Sequence, residues 1–202
     1  IIITPQESYK SKLGRQVYFY IDKGNSLTIE DITKKEFQDK FILSTNENPQ
    51  FGYTSDPIWL RLKLKDTNSL QRNWLLEIAY SGLDLIEFYT YRDNSWKKKV
   101  YGDLLPFSAR DFDYRNYLIR LDISPEASTT YYFKVKTNTS FVIPLYLYET
   151  KTILENKFLV EGLFFFFYGV LIVMILYNGF IFITFRSPSY FYYSLVSKPQ
   201  GR

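Results

Sequence analysis

The chain has 202 residues, of which 46% are hydrophobic and 23% charged, with a formal charge of +4. That is enough apolar material for one ordinary domain with a core plus a short appendage, and it excludes a disordered main body. Cysteine and histidine are both absent, which removes disulfides, thiolate metal sites, the commonest zinc ligands and the commonest general base.

In chain order, "VYFYID" at 17–22 predicts a first strand, and "TIEDITKKEFQDKF" at 28–41 predicts one or two helical turns. Ile58 to Lys65 alternates without a fault: Ile58, Leu60, Leu62 and Leu64 share one face, and Trp59, Arg61, Lys63 and Lys65 the other. Further strand-like runs occupy 73–79, 85–91, 116–123, 131–137 and 141–149. Turn residues separate them, at Asp66 to Ser69, Ser81-Gly82, Arg92 to Ser95, Ser124-Pro125 and Thr137-Asn138. The basic triplet Lys97-Lys98-Lys99 fits a solvated turn or strand edge, with a phosphate or lipid contact as the other reading. Elsewhere Lys and Arg are interspersed with Asp and Glu, so nucleic acid is not an expected partner. Short, evenly spaced strands with little helical periodicity predict a mainly β fold, an antiparallel β-sandwich or jelly roll, over residues 1–150.

Residues 151–158 read as a short connector, followed by an apolar run over 159–186. From Gly162 to Phe185 the run measures about 24 residues, or roughly 36 Å as an α-helix, against a hydrocarbon core of about 30 Å. Every face of it is apolar, which favours a transmembrane helix over a core helix. Asn178 within it calls for a helical neighbour or a cavity to satisfy its amide. Arg186 follows the span and weakly favours a cytoplasmic C-terminal side. Ser187-Pro188 marks a turn, so 187–202 reads as a cytoplasmic link and the start of a second helix, cut short.

The 19 tyrosines and 18 phenylalanines fit a sandwich core and a membrane girdle. A sharper alternative is a sugar-stacking platform on an outward strand face. Trp59 leads that reading, because it shares a polar face with Arg61 and so either covers a second layer or meets a ligand.

Several motifs carry a family resemblance. Gly52-Tyr53-Thr54 precedes Trp59-Leu60-Arg61; Leu83-Asp84-Leu85-Ile86 leads to Phe88-Tyr89; Gly102-Asp103 leads to Pro106-Phe107-Ser108-Ala109-Arg110; and the apolar run carries Tyr-Gly, Tyr-Asn and an Arg-x-x-Ser-Tyr-x-x-Tyr exit. Together, over roughly residues 13 to 195, they resemble the second type of extracellular domain, with the first membrane helix, of bacterial seven-transmembrane receptors with diverse intracellular signalling modules. In that family a Pro often follows the Arg of Pro-Phe-Ser-x-Arg, where this chain has Asp111.

The resemblance implies a jelly roll like those of carbohydrate-binding modules, held outside the bacterial cytoplasmic (inner) membrane in the periplasm or exterior. It would act with the remaining transmembrane helices and an intracellular signalling domain. The expected function is non-enzymatic sensing of a carbohydrate or other small molecule, with Trp59, Arg61, Asp84, Arg110 and Tyr114 as ligand contacts. For Arg61, Asp84 and Arg110 the structural alternative is an ion-pair network under a loop. An interaction module that binds a partner protein or forms a homodimer is the second reading. A glycosidase, which needs two carboxylates across a cleft, is the third. No cofactor is expected; a structural calcium would have to use Asp103, Asp111 and Asp113, whose spacing fits no EF-hand.

Overall fold

The computed structural model describes residues 2–3, 10–67, 73–123 and 128–185. The chain divides into two compact units, Ile1–Thr152 and Ile153–Arg202. The expected turn at Ser124-Pro125 and the expected link over 187–202 lie outside the described residues.

The first unit is built from antiparallel sheets. The larger contains β1 (Ile2–Ile3), β3 (Tyr18–Ile21), β4 (Ile42–Leu43), β6 (Ile58–Asp66), β8 (Leu85–Arg92), β9 (Ser95–Tyr101) and β11 (Ser128–Lys136). Its order is β4-β3-β6-β11-β8-β9, with β1 pairing parallel to the end of β6. The smaller sheet, in the order β10-β7-β13-β2, uses β2 (Lys10–Lys12), β7 (Trp74–Ile78), β10 (Tyr117–Leu121) and β13 (Leu145–Glu149). A two-stranded ribbon pairs β5 (Gln50–Tyr53) with β12 (Ser140–Val142).

The sequence alternation decides which faces meet. Ile58, Leu60, Leu62 and Leu64 of β6 join Trp74, Leu76 and Ile78 of β7, Ile119 of β10, and Leu145 and Leu147 of β13 in one buried cluster. Two sheets feeding alternate residues into one core make a sandwich, and each such side chain contributes about 1.5–3 kcal/mol on burial.

The other face of β6 is covered as well. Trp59 is fully buried there, in a second cluster with Tyr89 and Tyr132 from the neighbouring strands and Ile29, Ile32 and Phe41 from a covering segment. That segment holds two single-turn helices, α1 (Ile29–Ile32) and α2 (Lys35–Gln38). A capping box opens α1: the Thr28 hydroxyl accepts from the Asp31 N–H at 3.3 Å, and the Asp31 carboxylate accepts from the Thr28 N–H at 3.2 Å. Beneath it, the buried Asp22 accepts from the Trp59 indole and from the amides of Ser26 and Leu27, and pairs with Lys134 at 3.3 Å.

The described part of the second unit lies in α3 (Thr150–Phe185), which begins directly after β13, so the expected connector 151–158 is helical. The backbone N–H and hydroxyl of Thr150 both donate to the Asn73 carbonyl, at 3.0 and 2.9 Å. Gly162–Ile181 is long and apolar enough to cross a membrane. The Asn178 side-chain amide donates to the Met174 carbonyl at 2.8 Å, which satisfies one of its two N–H groups within its own helix.

Candidate functional site: a cationic cleft at the sandwich flank

The site begins at a turn. Asp93 and Asn94 both have positive φ, 50° and 58°, the backbone that a type I′ hairpin requires and that Asp and Asn tolerate best among side-chain-bearing residues. The turn fixes Arg92 opposite Ser95, and hence Thr90 opposite Lys97, Phe88 opposite Lys99 and Ile86 opposite Tyr101. Ile86 and Phe88 belong to the main core, and cross-strand partners share a face, so Lys97, Lys99 and Tyr101 are turned towards the sandwich interior. Lys98 is turned outward, where it pairs with Glu87 at 3.0 Å.

β9 is the edge of the larger sheet and β10 the edge of the smaller. Along this flank runs a cleft of about 460 Å³, whose lining includes Phe88, Arg92, Lys97, Lys99, Tyr101 and Arg120 together with the carboxylates of Asp111 and Asp122. Two ion pairs fasten its walls: Arg92 with Asp122, and Lys99 with Asp111. Tyr101 donates its hydroxyl to Asp111 at 2.8 Å. Burial, reinforced by that hydrogen bond, pushes the Tyr101 hydroxyl well above the ordinary tyrosine range and keeps it a donor. Arg120 lies over the ring of Phe112, 5.7 Å from its centroid. Among the described residues, neither Lys97 nor Arg120 has a carboxylate partner.

The five residues expected from the sequence fall in two other places. Trp59, with no exposed surface, cannot stack on a ligand. Arg61 donates to the backbone and side-chain oxygens of Gln38 at 3.2 and 2.5 Å and lies over Tyr18 and Phe41, clamping the covering segment to the sheet. Asp84 accepts from the Asn138 N–H at 2.9 Å. Arg110 donates to the carbonyls of Tyr114 and Arg115 at 3.0 and 2.7 Å and lies over Phe107 and Tyr117. Arg110 and Asp84 act with opposite sign on the Tyr117 hydroxyl, which burial raises. The Tyr114 hydroxyl is raised by burial and by Glu77. Asp84, Arg110 and Tyr114 thus belong to a loop scaffold, remote in role from Trp59 and Arg61. Among the described residues no three acidic groups converge on a cation position, and Asp111 is committed to Lys99 and Tyr101.

The family model for the seven-transmembrane-receptor extracellular domain described as "7TMR-DISM extracellular 2" matches residues 14–149, most of the chain. The chain belongs to this receptor family. A second model, "7TM diverse intracellular signalling", matches residues 161–197 and begins where the apolar part of α3 begins. The receptor is therefore a membrane protein whose N-terminal sandwich is its extracellular sensory domain. No curated protein matches the chain. Among solved structures, insecticidal crystal protein Cry2Aa is similar over 73% of this chain and 22% of its own length, at 14% identity and a TM-score of 0.32.

Physical reasons for some of the receptor motifs are now visible. Gly52, in Gly-Tyr-Thr, has φ +71°. Gly102, in Gly-Asp, has φ +148°, and a Cβ there would stand 2.1 Å from the Asp84 carbonyl oxygen. That close approach seats the segment after β9, which carries Asp111 back to Lys99.

Proposed function

We propose that the sandwich is a ligand-sensing module that binds a small molecule, a sugar or glycan fragment, in the flank cleft, without turning it over. It reports through the membrane helices of the receptor to an intracellular output domain. The setting for this reading is the cytoplasmic membrane of a bacterium. One observation carries it: a cleft of about 460 Å³ lined by convergent cationic and hydroxyl groups, the kind of concave polar site that orients a small ligand.

The test is thermal melting of the chain in lipid nanodiscs against a library of mono- and oligosaccharides. A ligand at one hundred times its Kd adds about 2.7 kcal/mol of stability, enough to raise the midpoint by several degrees. Cooperative melting with no shift across the library would sink the proposal.

A second reading, docking of a partner protein or another copy, is favoured by edge strand β4. Its Ile42 and Leu43 are 61% and 46% exposed beside the exposed Ile21, and an open apolar edge is a template for strand addition. Light scattering of the same nanodisc samples, before and after Ile42→Lys, separates the two readings.

A further inference from the structure

Resting on the cleft as the sensing site, we infer that its ligand is an acidic saccharide carrying at least two anionic groups, which supply the counter-charges that Lys97 and Arg120 lack. Leaving aside the outward Lys98, the lining brings Arg92, Lys97, Lys99 and Arg120 against only Asp111 and Asp122. Arg92 and Lys99 take up those two carboxylates. The remaining ammonium and guanidinium groups come from different sheets, Lys97 from an edge strand of the larger and Arg120 from an edge strand of the smaller.

Edge protection accounts for part of this arrangement, because an inward lysine on an edge strand blocks strand addition. It accounts for Lys97 and Lys99 on β9. It does not account for an arginine brought to the same cleft from the other sheet and laid over Phe112. Such stacking pre-organises the planar guanidinium, whose fork of donors matches a carboxylate, sulfate or phosphate. Phe88 closes the base of the cleft but is only 6% exposed, so recognition falls to the charged and hydroxyl groups of the lining. A neutral sugar would fill the volume and leave both cations without a counter-charge. An acidic sugar would supply one to each, in a screened, solvent-exposed setting where the attraction falls as salt is raised.

The experiment is isothermal titration calorimetry of the full chain in zwitterionic phosphatidylcholine nanodiscs, with digalacturonate, cellobiose and inorganic phosphate as probes. Digalacturonate is expected to bind at least about tenfold more tightly than cellobiose, and to weaken as salt is raised. Lys97→Gln and Arg120→Gln should each cost about tenfold or more. Lys97→Arg and Arg120→Lys should restore part of the loss, and Lys35→Gln on α2 should change nothing.

Equal binding of cellobiose, or indifference of digalacturonate binding to Lys97→Gln and Arg120→Gln, overturns the anionic assignment and leaves the sensing reading standing. Phosphate binding as tightly as digalacturonate, with the same response to the variants, overturns the saccharide. Failure of all three probes to bind a cooperatively melting chain overturns both this inference and the sensing reading.

Discussion

The indole N–H of Trp59 donates to the carboxylate of Asp22 at 3.3 Å, and the Lys134 ammonium reaches the same oxygen at the same distance. A strand of the larger sheet, its neighbour and the chain that follows β3 are thus joined at one buried acid. Lys134 has 14% of its side chain exposed and also lies over the Trp59 ring. Asp22→Ala removes the only carboxylate this cation has among the described residues and is expected to destabilise the sandwich by about 3–5 kcal/mol. Trp59→Phe keeps most of the ring and is expected to cost less, about 1–3 kcal/mol for the lost hydrogen bond. Urea unfolding followed by near-ultraviolet circular dichroism measures both. A loss under about 1 kcal/mol for Asp22→Ala would show that the buried acid adds little to what the apolar contacts and the Arg61–Gln38 hydrogen bonds already hold.

Two glycine substitutions separate backbone strain from collision. Gly24 has φ +81° with open space around its Cβ direction, so Gly24→Ala should cost about 1–2 kcal/mol for the left-handed backbone alone. Gly102→Ala must also displace the Asp84 carbonyl, which is backbone and cannot swing aside. It is expected to cost clearly more and to loosen Asp111 from Lys99. Equal melting temperatures for the two variants would refute the close approach at Gly102.

Alkaline pH should unfold the sandwich through its tyrosines. Burial raises the hydroxyls of Tyr101, Tyr131 and Tyr148 above their ordinary value of 10.0, and carboxylates next to Tyr101 and Tyr148 add to the shift. A group whose folded pKa is raised contributes fully below its unfolded pKa and loses its contribution as pH rises beyond it. Stability is therefore expected to hold up to about pH 10 and fall above it. Tyrosinate absorbance from the buried set should appear together with loss of the near-ultraviolet signal. Complete ionisation of all tyrosines in a still-folded chain would contradict this.

The capping box gives the opposite sign. Hydrogen bonds from Lys34 and Thr28 hold the Asp31 carboxyl at about 2 against an ordinary 3.8. A depressed pKa contributes above the unfolded value and is lost as pH falls through the folded one. The start of α1 should therefore loosen between pH 3.8 and about 2. Carboxyl NMR should place the Asp31 midpoint near the lower figure, and Thr28→Ala should move it upward. A midpoint at the ordinary value in the unaltered chain would mean the box does not persist in solution.

Most of the sandwich is legible in the sequence wherever one strand face is apolar and the other polar, as in β6, β8 and β11. β9 escapes that reading because its inward positions include Lys97 and Lys99, which obscure the period. The run 141–149 reads as one strand, yet it divides into β12 and β13 around Ile143-Pro144. Trp59 illustrates the limit of alternation: it sits on the polar face of β6, and only the covering segment some thirty residues earlier decides that this face is also interior. The basic triplet reads as a turn or a strand edge, of which the structure has the edge, and the second sheet that completes the cleft is a matter of tertiary folding. Arg120, one charged residue in an otherwise apolar strand, carries no local sign of it.

The Asp93-Asn94 turn has a consequence for how the cleft can vary. A strand that slips by one position against its neighbour exchanges its two faces completely. Lengthening this turn by one residue would carry Lys97 and Lys99 outward, yet Lys98 would then rotate inward. Three consecutive lysines act as an error-tolerant code: whichever register the hairpin adopts, at least one ammonium group faces the cleft, while the number facing it is set by the turn.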